Sequence, residues 1–272
     1  MNEINDKNIT EQERLLALAV RNNGDYRAIQ AENRHILFRN AAISDVDWAL
    51  EKLEKEEYKY TTIASKDYPT AFEKMSHPPF TLFYKGNLNL LSNSFDNYLI
   101  NIVGTKDGNK YIEKTTNELV KELTKKENCT IMVENKCGVE FAVAETVIKE
   151  KGKIVIISNG ESMENEVKSS KEYLTLLKEN NYSEDDYLII SEYLEPVNGT
   201  RYDDYKSFSD AILSRQTRTT QIITGICDKL LIAAATRGEQ QQSFKMATIM
   251  NKEIFVIPVP KNNKKLINNG LI

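Results

Sequence analysis

Apolar residues in this chain alternate between short β-prone runs and helical spacings. Six runs are predicted to be strands: Leu99–Val103, Thr130–Val133, Lys153–Ile157, Tyr187–Ile190, Leu230–Ala235 and Glu253–Ile257. Between them, apolar residues recur three or four positions apart, as at Val139, Ala142 and Val143, which indicates helices. Strands that alternate with helices favour a parallel sheet with right-handed crossovers. We therefore predict an α/β fold with helices on both faces of the sheet, and an additional edge strand at Thr81–Tyr84.

The first sixty residues show only helical spacing. Apolar side chains recur at Leu15, Leu16, Leu18 and Ala19, at Ile36, Leu37 and Phe38, and at Trp48, Leu50 and Leu53. Ser44, followed by Asp45 and Asp47, is a suitable N-cap with an acidic first turn for the last of these helices. We expect three or four short helices here. The predicted organisation is a small helical N-terminal module over residues 1–60 and a second domain over residues 61–272.

The glycine turn after the first predicted strand has the order of an anion-binding loop. Residues Tyr98–Val103 are β-prone and apolar except for Asn101, Gly104 ends the run, and a helical pattern follows. This order directs backbone N–H groups and the positive end of a helix at an anion, as in a Rossmann-like fold. Thr105 and Lys106 add a hydroxyl and a positive charge. We therefore predict a Rossmann-like parallel sheet that binds phosphate at Gly104, Thr105 and Lys106.

The distribution of charge changes what the net charge suggests. The chain carries a net charge of −4, but residues 199–272 hold eleven Lys and Arg against six Asp and Glu. An acidic protein with such an asymmetry can still present a basic face to a nucleic acid, although a mixed, solvated surface would give the same count.

Several classes of function receive no support from the sequence. Cys129, Cys137 and Cys227 form no C-x-x-C pair and have no histidine nearby, so we predict buried thiols. His35 and His77 are the only histidines, and no spacing suits a metal site. The amino terminus lacks the basic and apolar regions of a signal peptide, and no apolar run approaches the ~20 residues of a membrane span. We predict a cytoplasmic protein that has no cofactor and no catalytic residues.

One long segment resembles a known family. YPTAFEKMSHPPFTLFYKGNL, followed by INIVGTK, is similar to the entry to the Rossmann domain of the DNA-processing protein A family, called DprA or Smf. The resemblance implies a protein that binds the phosphates of single-stranded DNA and helps to load the RecA recombinase. It also implies a homodimer formed through the Rossmann domain, and no catalysed reaction. Family members that carry a C-terminal winged helix have a domain for which this sequence shows no counterpart.

The resemblance assigns candidate contacts to several loops. Thr105 and Lys106 occupy the serine and arginine positions of a G-S-R loop that contacts DNA in the family. In KGKIVIISNG, the residues Lys153, Asn159 and Gly160 match a second family element, and SEYLEP matches a third. A lysine keeps the charge of the arginine but loses its planar fork, which can hold a phosphate with two hydrogen bonds.

The family element that follows the second strand of the domain is altered here. Gly138, Val139 and Glu140 match its G-I-D part, but Glu134 and Asn135 replace a Ser-Gly pair. A carboxylate at this place is expected to repel phosphate.

A third element has lost its basic residues. IITGI aligns with I-I-A-G-L of the family, which puts residues 219–221, Thr-Thr-Gln, at the R-N-R positions that hold the nucleic-acid backbone. Arg215 and Arg218 lie three apart just upstream, so they share a helix face and are predicted to replace the missing pair. Farther on, Arg237 and Gly238 are predicted to border the crevice.

Two further interpretations remain open. A sensor or scavenger of a small nucleotide would use the same crevice after losing its grip on DNA. A structural or inhibitory partner of a host recombination protein would form mixed oligomers instead.

Overall fold

The computed structural model describes residues 9–34, 43–92, 97–105, 110–159, 170–194, 205–233 and 239–257. Within these residues the helices are α1 (Glu11–Arg21), α2 (Tyr26–Arg34), α3 (Ile43–Lys55), α4 (Lys110–Thr124), α5 (Val139–Lys149), α6 (Ser170–Glu179), α7 (Tyr205–Ile226) and α8 (Glu239–Ile249). The strands are β1 (Lys59–Thr62), β2 (Thr81–Gly86), β3 (Tyr98–Val103), β4 (Cys129–Glu134), β5 (Lys153–Ser158), β6 (Tyr187–Ser191), β7 (Lys229–Ile232) and β8 (Glu253–Val256). Short 3₁₀ helices cover Thr70–Lys74 and Leu88–Leu91.

The strands form one sheet in the order β1-β2-β6-β5-β4-β3-β7-β8. Strands β3 to β8 pair in parallel, whereas β2 pairs antiparallel with both β6 and β1. All six strands predicted from apolar runs are present, which confirms the predicted α/β class. The predicted edge strand is β2, but β1 lies outside it. The sequence analysis did not predict β1, because a four-residue strand that starts at Lys59 falls at the end of the segment interpreted as helical.

Helices cover both faces of the sheet, as predicted. On one face α4, α5 and α6 bury a cluster that includes Ile112, Val143 and Tyr173. On the other face α7 packs its Ile222 and Ile223 against the sheet, together with both 3₁₀ helices. α8 covers β7 and β8.

The N-terminal helices pack against the sheet as well as against one another. A capping box between Thr10 and Glu13 begins α1. Buried side chains of α1, α2 and α3 form a common core with Phe83 of β2, and Thr81 of β2 donates a hydrogen bond to the carbonyl of Leu15 at 3.2 Å. The helical module and the sheet therefore share a core.

Two predictions from the sequence concern the burial of the cysteines and the absence of a membrane-spanning helix. Cys129 and Cys227 are buried, as predicted, whereas Cys137 is only partly buried; none of the three forms a disulfide within the described residues. No helix in the described parts of the chain is long and apolar enough to cross a membrane.

Candidate functional site

The strand order fixes where a ligand crevice lies. Chain order runs from β3 to β4, β5 and β6 on one side of β3, while β7 and β8 lie on its other side. Strand order therefore reverses between β3 and β7. In an open parallel sheet, ligands bind beyond the carboxyl ends of the strands at such a point. The crevice is thus above Val103 and Ile232, at the turn that the sequence singled out.

Gly104 is held in this turn by close contacts on every side. Its N–H donates to Glu140 Oε1 at 3.0 Å, and its carbonyl accepts a hydrogen bond from the Gln240 amide of α8. A Cβ at this position would lie 2.3 Å from Val139 Cβ. Only glycine fits, since β3 and the start of α5 approach each other here. Thr105 follows; it is 3% exposed, and its hydroxyl has no hydrogen-bond partner among the described residues.

The negative charge of the Glu134 carboxylate is balanced by contacts with Lys136 and Thr220. It is 1% exposed at the end of β4, accepts a hydrogen bond from Thr220 Oγ1 at 3.0 Å, and lies 2.6 Å from Lys136 Nζ. The sequence led us to expect repulsion of phosphate by this group. Because its charge faces a lysine and a hydroxyl rather than the solvent, the repulsion is weaker than a free carboxylate would cause.

Glu140 is a second buried carboxyl at the same edge. Burial raises its pKa to about 7, against the opposing effects of the Lys136 charge and the hydrogen bond from Gly104. Glu140 therefore exchanges its proton close to neutral pH, directly beneath the glycine turn.

A row of polar groups continues along the carboxyl ends of β4, β5 and β6. Asn135 donates to Ser158 Oγ at 3.1 Å and accepts from the backbone N–H of Asn159 at 3.3 Å. Ser191 donates to the carbonyl of Ser158 at 2.9 Å. Asn159 is 4% exposed, and its Oδ1 has no hydrogen-bond partner in the parts of the chain that the structure describes. This predicted contact residue therefore lies at the same edge as Thr105.

Arg215 and Arg218 lie on one side of α7, as their spacing predicted, but they contact the N-terminal module. Arg218 is 9% exposed and donates to both carboxylate oxygens of Glu192, and it also lies over the ring of Tyr26 at 4.5 Å. Arg215 is 5% exposed, lies 4.1 Å from the ring centre of Tyr193, and contacts the Asn23 carbonyl at 3.4 Å. The expectation of two arginines presented to a nucleic-acid backbone therefore needs correction, because both guanidinium groups are engaged within the protein.

Lys153 is not brought together with the other predicted residues. It begins β5, so it lies at the amino end of the sheet, where its Nζ donates to the Glu127 carbonyl at 2.9 Å. A cavity at that end is bordered by Lys153 together with Asp185 and Asp186. Because the crevice is at the opposite ends of the strands, Lys153 is too far along β5 to border it. Lys106, Gly160, Arg237 and Gly238 lie outside the described residues.

Sequence reasoning missed the groups that connect the crevice to the N-terminal module. Glu192 and Tyr193 belong to the SEYLEP segment, which was matched to the family without a role. Gly24 has a positive φ of 71°, and a Cβ there would lie 2.4 Å from Tyr193 Cδ1. An N-N-G-D sequence after a helix is a recognisable C-terminal turn signal. It does not reveal that the turn packs against Glu192 and Tyr193, just after β6.

The fold and the switch-point crevice define an α/β protein of the Rossmann-like class. Within that class, residues 59–271 match the DNA recombination-mediator protein A family. The match covers most of the chain, and the chain belongs to this family. The resemblance found in the sequence is thereby confirmed.

Individual relatives agree with this assignment. The chain is 33% identical to the DNA processing protein DprA of Bacillus subtilis strain 168 over 99 residues, which cover 36% of this chain and 32% of that protein. Its fold is similar to the X-ray structure of DNA processing protein A from Streptococcus pneumoniae, with a TM-score of 0.63 and 19% identity over 97% of this chain and 89% of the other. The DNA processing protein A structure from Helicobacter pylori gives a TM-score of 0.57 and 22% identity, over 78% and 88% of the two chains.

Proposed function

We propose that this protein binds single-stranded DNA by its phosphates, in the crevice over β3 and β7. The observation that carries this proposal is the position of the Gly104–Thr105 turn at the switch point, with Lys106 next in the chain. Membership of the DNA recombination-mediator protein A family supports it. The solved relative from Helicobacter pylori, for which a single-stranded DNA binding mode is described, supports it further.

The proposed contacts are few and do not depend on the base sequence of the DNA. The proposed donors are the hydroxyl of Thr105, which is buried at the turn and has no hydrogen-bond partner among the described residues, and Lys106, which supplies the charge. Arg237 and Gly238 precede α8 in the chain, and Gln240 of that helix contacts Gly104. Such contacts read the backbone and not the bases.

We further propose that binding occurs without catalysis. The buried carboxyl groups nearest the crevice, Glu134 and Glu140, are both used in hydrogen bonds that hold the turn and α7 in place. The proposed role is that of a cytoplasmic mediator that acts as a homodimer and loads RecA on single strands. Membership of a recombination-mediator family supports the part of this proposal that concerns recombination.

Fluorescence anisotropy with a labelled thymidine oligonucleotide tests the proposal. Phosphate contacts predict that log affinity falls linearly with log salt, by about 0.7 per phosphate neutralised. Lys106→Glu is expected to weaken binding and flatten the slope. Lys126→Glu is the matched control, because Lys126 is exposed in the turn before β4, at the amino end of the sheet. Absence of binding at low salt would refute the proposal. Equal effects of the two variants would show that the crevice is not the binding site.

A small nucleotide is the second candidate ligand. The observation that favours it is the buried ion pair between Arg218 and Glu192, which leaves Arg218 without a charge to offer a polymer. The neighbouring Thr219 and Thr220 are buried and uncharged. A crevice with fewer available cations suits one nucleotide better than a polymer. Stabilisation of the protein against heat by a mononucleotide but not by an oligonucleotide would select this alternative.

A further inference from the structure

A second concave surface lies beside the crevice, between the N-terminal module and α7. Its walls are the turn between α1 and α2, the first turns of α2, and the segment of α7 from Asp210 to Gln221, which enclose a cleft of about 760 Å³. Thr220, which contacts Glu134 at the carboxyl end of β4, immediately precedes the lining residue Gln221. The cleft is therefore at the same edge of the sheet as the crevice.

Hydrogen-bond donors line both walls of this cleft. Arg27 and Gln30 lie three apart on α2, so they share a face, and Gln221 lies opposite on α7. None of the three side chains forms a hydrogen bond or an ion pair within the described residues. Ser214 and Thr217 add two hydroxyl groups on the α7 side. The walls therefore offer donors, one of them charged, that the fold itself does not use.

The base of the cleft holds two arginines, of which Arg218 is already paired with Glu192. Arg215 and Arg218 lie there, against the rings of Tyr193 and Tyr26. The carboxylate of Asp25 faces the N-terminus of α2, where it accepts hydrogen bonds from the N–H groups of Arg27 and Ala28, both at 2.9 Å. Asp25 is thus occupied by helix capping, which leaves Asp210 as the other acidic group of the lining.

We propose that this cleft is an extension of the nucleic-acid site, in which Arg27 contacts a phosphate of a strand that leaves the crevice. The inference rests on the proposed binding of single-stranded DNA. The volume lies within the range of ~300–1,000 Å³ typical of small-molecule sites, so a nucleotide-sized segment fits. The amide groups of Gln30 and Gln221 can donate hydrogen bonds to any base or sugar, or accept hydrogen bonds from them. This suits binding without sequence preference. The N-terminal module then takes a direct part in binding.

Two variants of the same module test this inference. Arg27→Glu reverses the charge in the cleft, and Lys55→Glu makes the same change at the end of α3, where Lys55 is exposed and does not line the cleft. Anisotropy titrations of the full chain use labelled thymidine oligomers of about 4 and about 20 nucleotides, chosen to fill the crevice alone or the crevice and the cleft. Arg27→Glu is expected to weaken binding of the longer oligomer about tenfold and to reduce its salt slope by about 0.7. The shorter oligomer should bind Arg27→Glu and Lys55→Glu with similar affinity.

The outcomes separate this inference from the function on which it rests. Equal affinity of the two variants for the longer oligomer would refute the proposed role of the cleft, but it would not affect the proposed DNA binding in the crevice. Equal weakening of both oligomers by Arg27→Glu would also overturn it, because the effect would then be general electrostatics. If the unmodified protein binds neither oligomer, the proposed function itself fails. Arg27 is exposed, and the thermal unfolding of Arg27→Ala checks that its removal leaves the fold unchanged.

Discussion

The guanidinium of Arg218 donates two hydrogen bonds to the carboxylate of Glu192, at 2.8 Å from Nε and 2.9 Å from Nη2. Both side chains are nearly inaccessible to water, with exposures of 10% and 5%. Burial raises the pKa of Glu192, and the hydrogen bonds and charge of Arg218 oppose that shift. The pair joins α7 to the end of β6, at the place where the N-terminal module meets the sheet.

Removal of Arg218 alone is predicted to be strongly destabilising. Arg218→Met leaves the Glu192 carboxylate buried without its partner, and breaking buried pairs in this way costs about 3–5 kcal/mol of unfolding free energy. Urea unfolding at neutral pH measures the loss. Any DNA-binding defect of an Arg218 variant must therefore be read against its stability, which makes Arg218 a poor probe of the crevice.

The double variant Arg218→Met with Glu192→Leu is the control for this prediction. It replaces the ion pair by apolar groups, which is often neutral or stabilising in buried sites. The double variant should recover most of the stability lost in Arg218→Met. Equal losses in the single and double variants would mean that packing, and not the unpaired carboxylate, causes the effect.

Gly24 is predicted to control the docking of the N-terminal module. A Cβ at this position would lie 2.4 Å from Tyr193 Cδ1 and 2.8 Å from the Glu192 carbonyl oxygen, and the φ of 71° disfavours side chains as well. Gly24→Ala should therefore cost about 1–3 kcal/mol and increase hydrogen exchange in α1 and α2. Asn23→Gly is the matched control, since Asn23 also has a positive φ, of 50°, and glycine adopts it without strain. If Gly24→Ala exchanged as slowly as Asn23→Gly, the close contact would not be a constraint.

The hydroxyl of Thr220 is predicted to stabilise the buried Glu134. Thr220→Val keeps the shape of the side chain but removes the donor to Oε1, so the carboxylate loses one of its two compensating contacts. The expected cost is about 1–3 kcal/mol in urea unfolding. Thr146→Val is a suitable comparison, because the Thr146 hydroxyl donates only to the Ala142 carbonyl of its own helix. The Thr146 variant should change stability far less, and similar losses at both positions would contradict the role given to Thr220.

The sequence was sufficient to predict strands β2 to β8 of the described sheet and the position of the glycine turn. Runs such as Leu99–Val103 are apolar except for Asn101 because most of β3 is buried, and that pattern is visible without a structure. The 3₁₀ helices and β1 were missed, because short elements take their stability from packing and not from local propensity.

The partners of buried polar residues could not be predicted. Glu134 and Thr220 are 86 positions apart, and Arg218 and Glu192 are 26 apart, so no local spacing connects them. Charge patterns indicated correctly that Arg215 and Arg218 share a helix face. They could not indicate that this face meets the turn at Asn23, because the relation between the module and α7 depends on tertiary packing.

The last prediction concerns the pH dependence of stability that arises from Glu140. Its pKa is raised from an ordinary value of 4.5 to about 7 by burial, so the folded protein binds this proton more tightly than the unfolded chain does. Between about pH 4.5 and 7 the folded state holds the proton while the unfolded state has released it. The contribution of Glu140 to the unfolding free energy therefore falls as pH rises through this window, by up to about 3 kcal/mol, and is constant above it.

Glu140→Gln tests this prediction because the amide cannot titrate, yet its oxygen can still accept the hydrogen bond from the Gly104 N–H at the turn. Unfolding free energies from urea titrations at pH 5, 6, 7 and 8 should fall less steeply with pH in this variant than in the unmodified protein. The difference in slope is the measurement that decides, since the new amide group changes the absolute stability for other reasons. Glu145→Gln, on the same helix but partly exposed beside Lys149, should leave the slope unchanged. Parallel curves for Glu140→Gln and the unmodified protein would show that Glu140 does not titrate in this range, and would contradict the prediction.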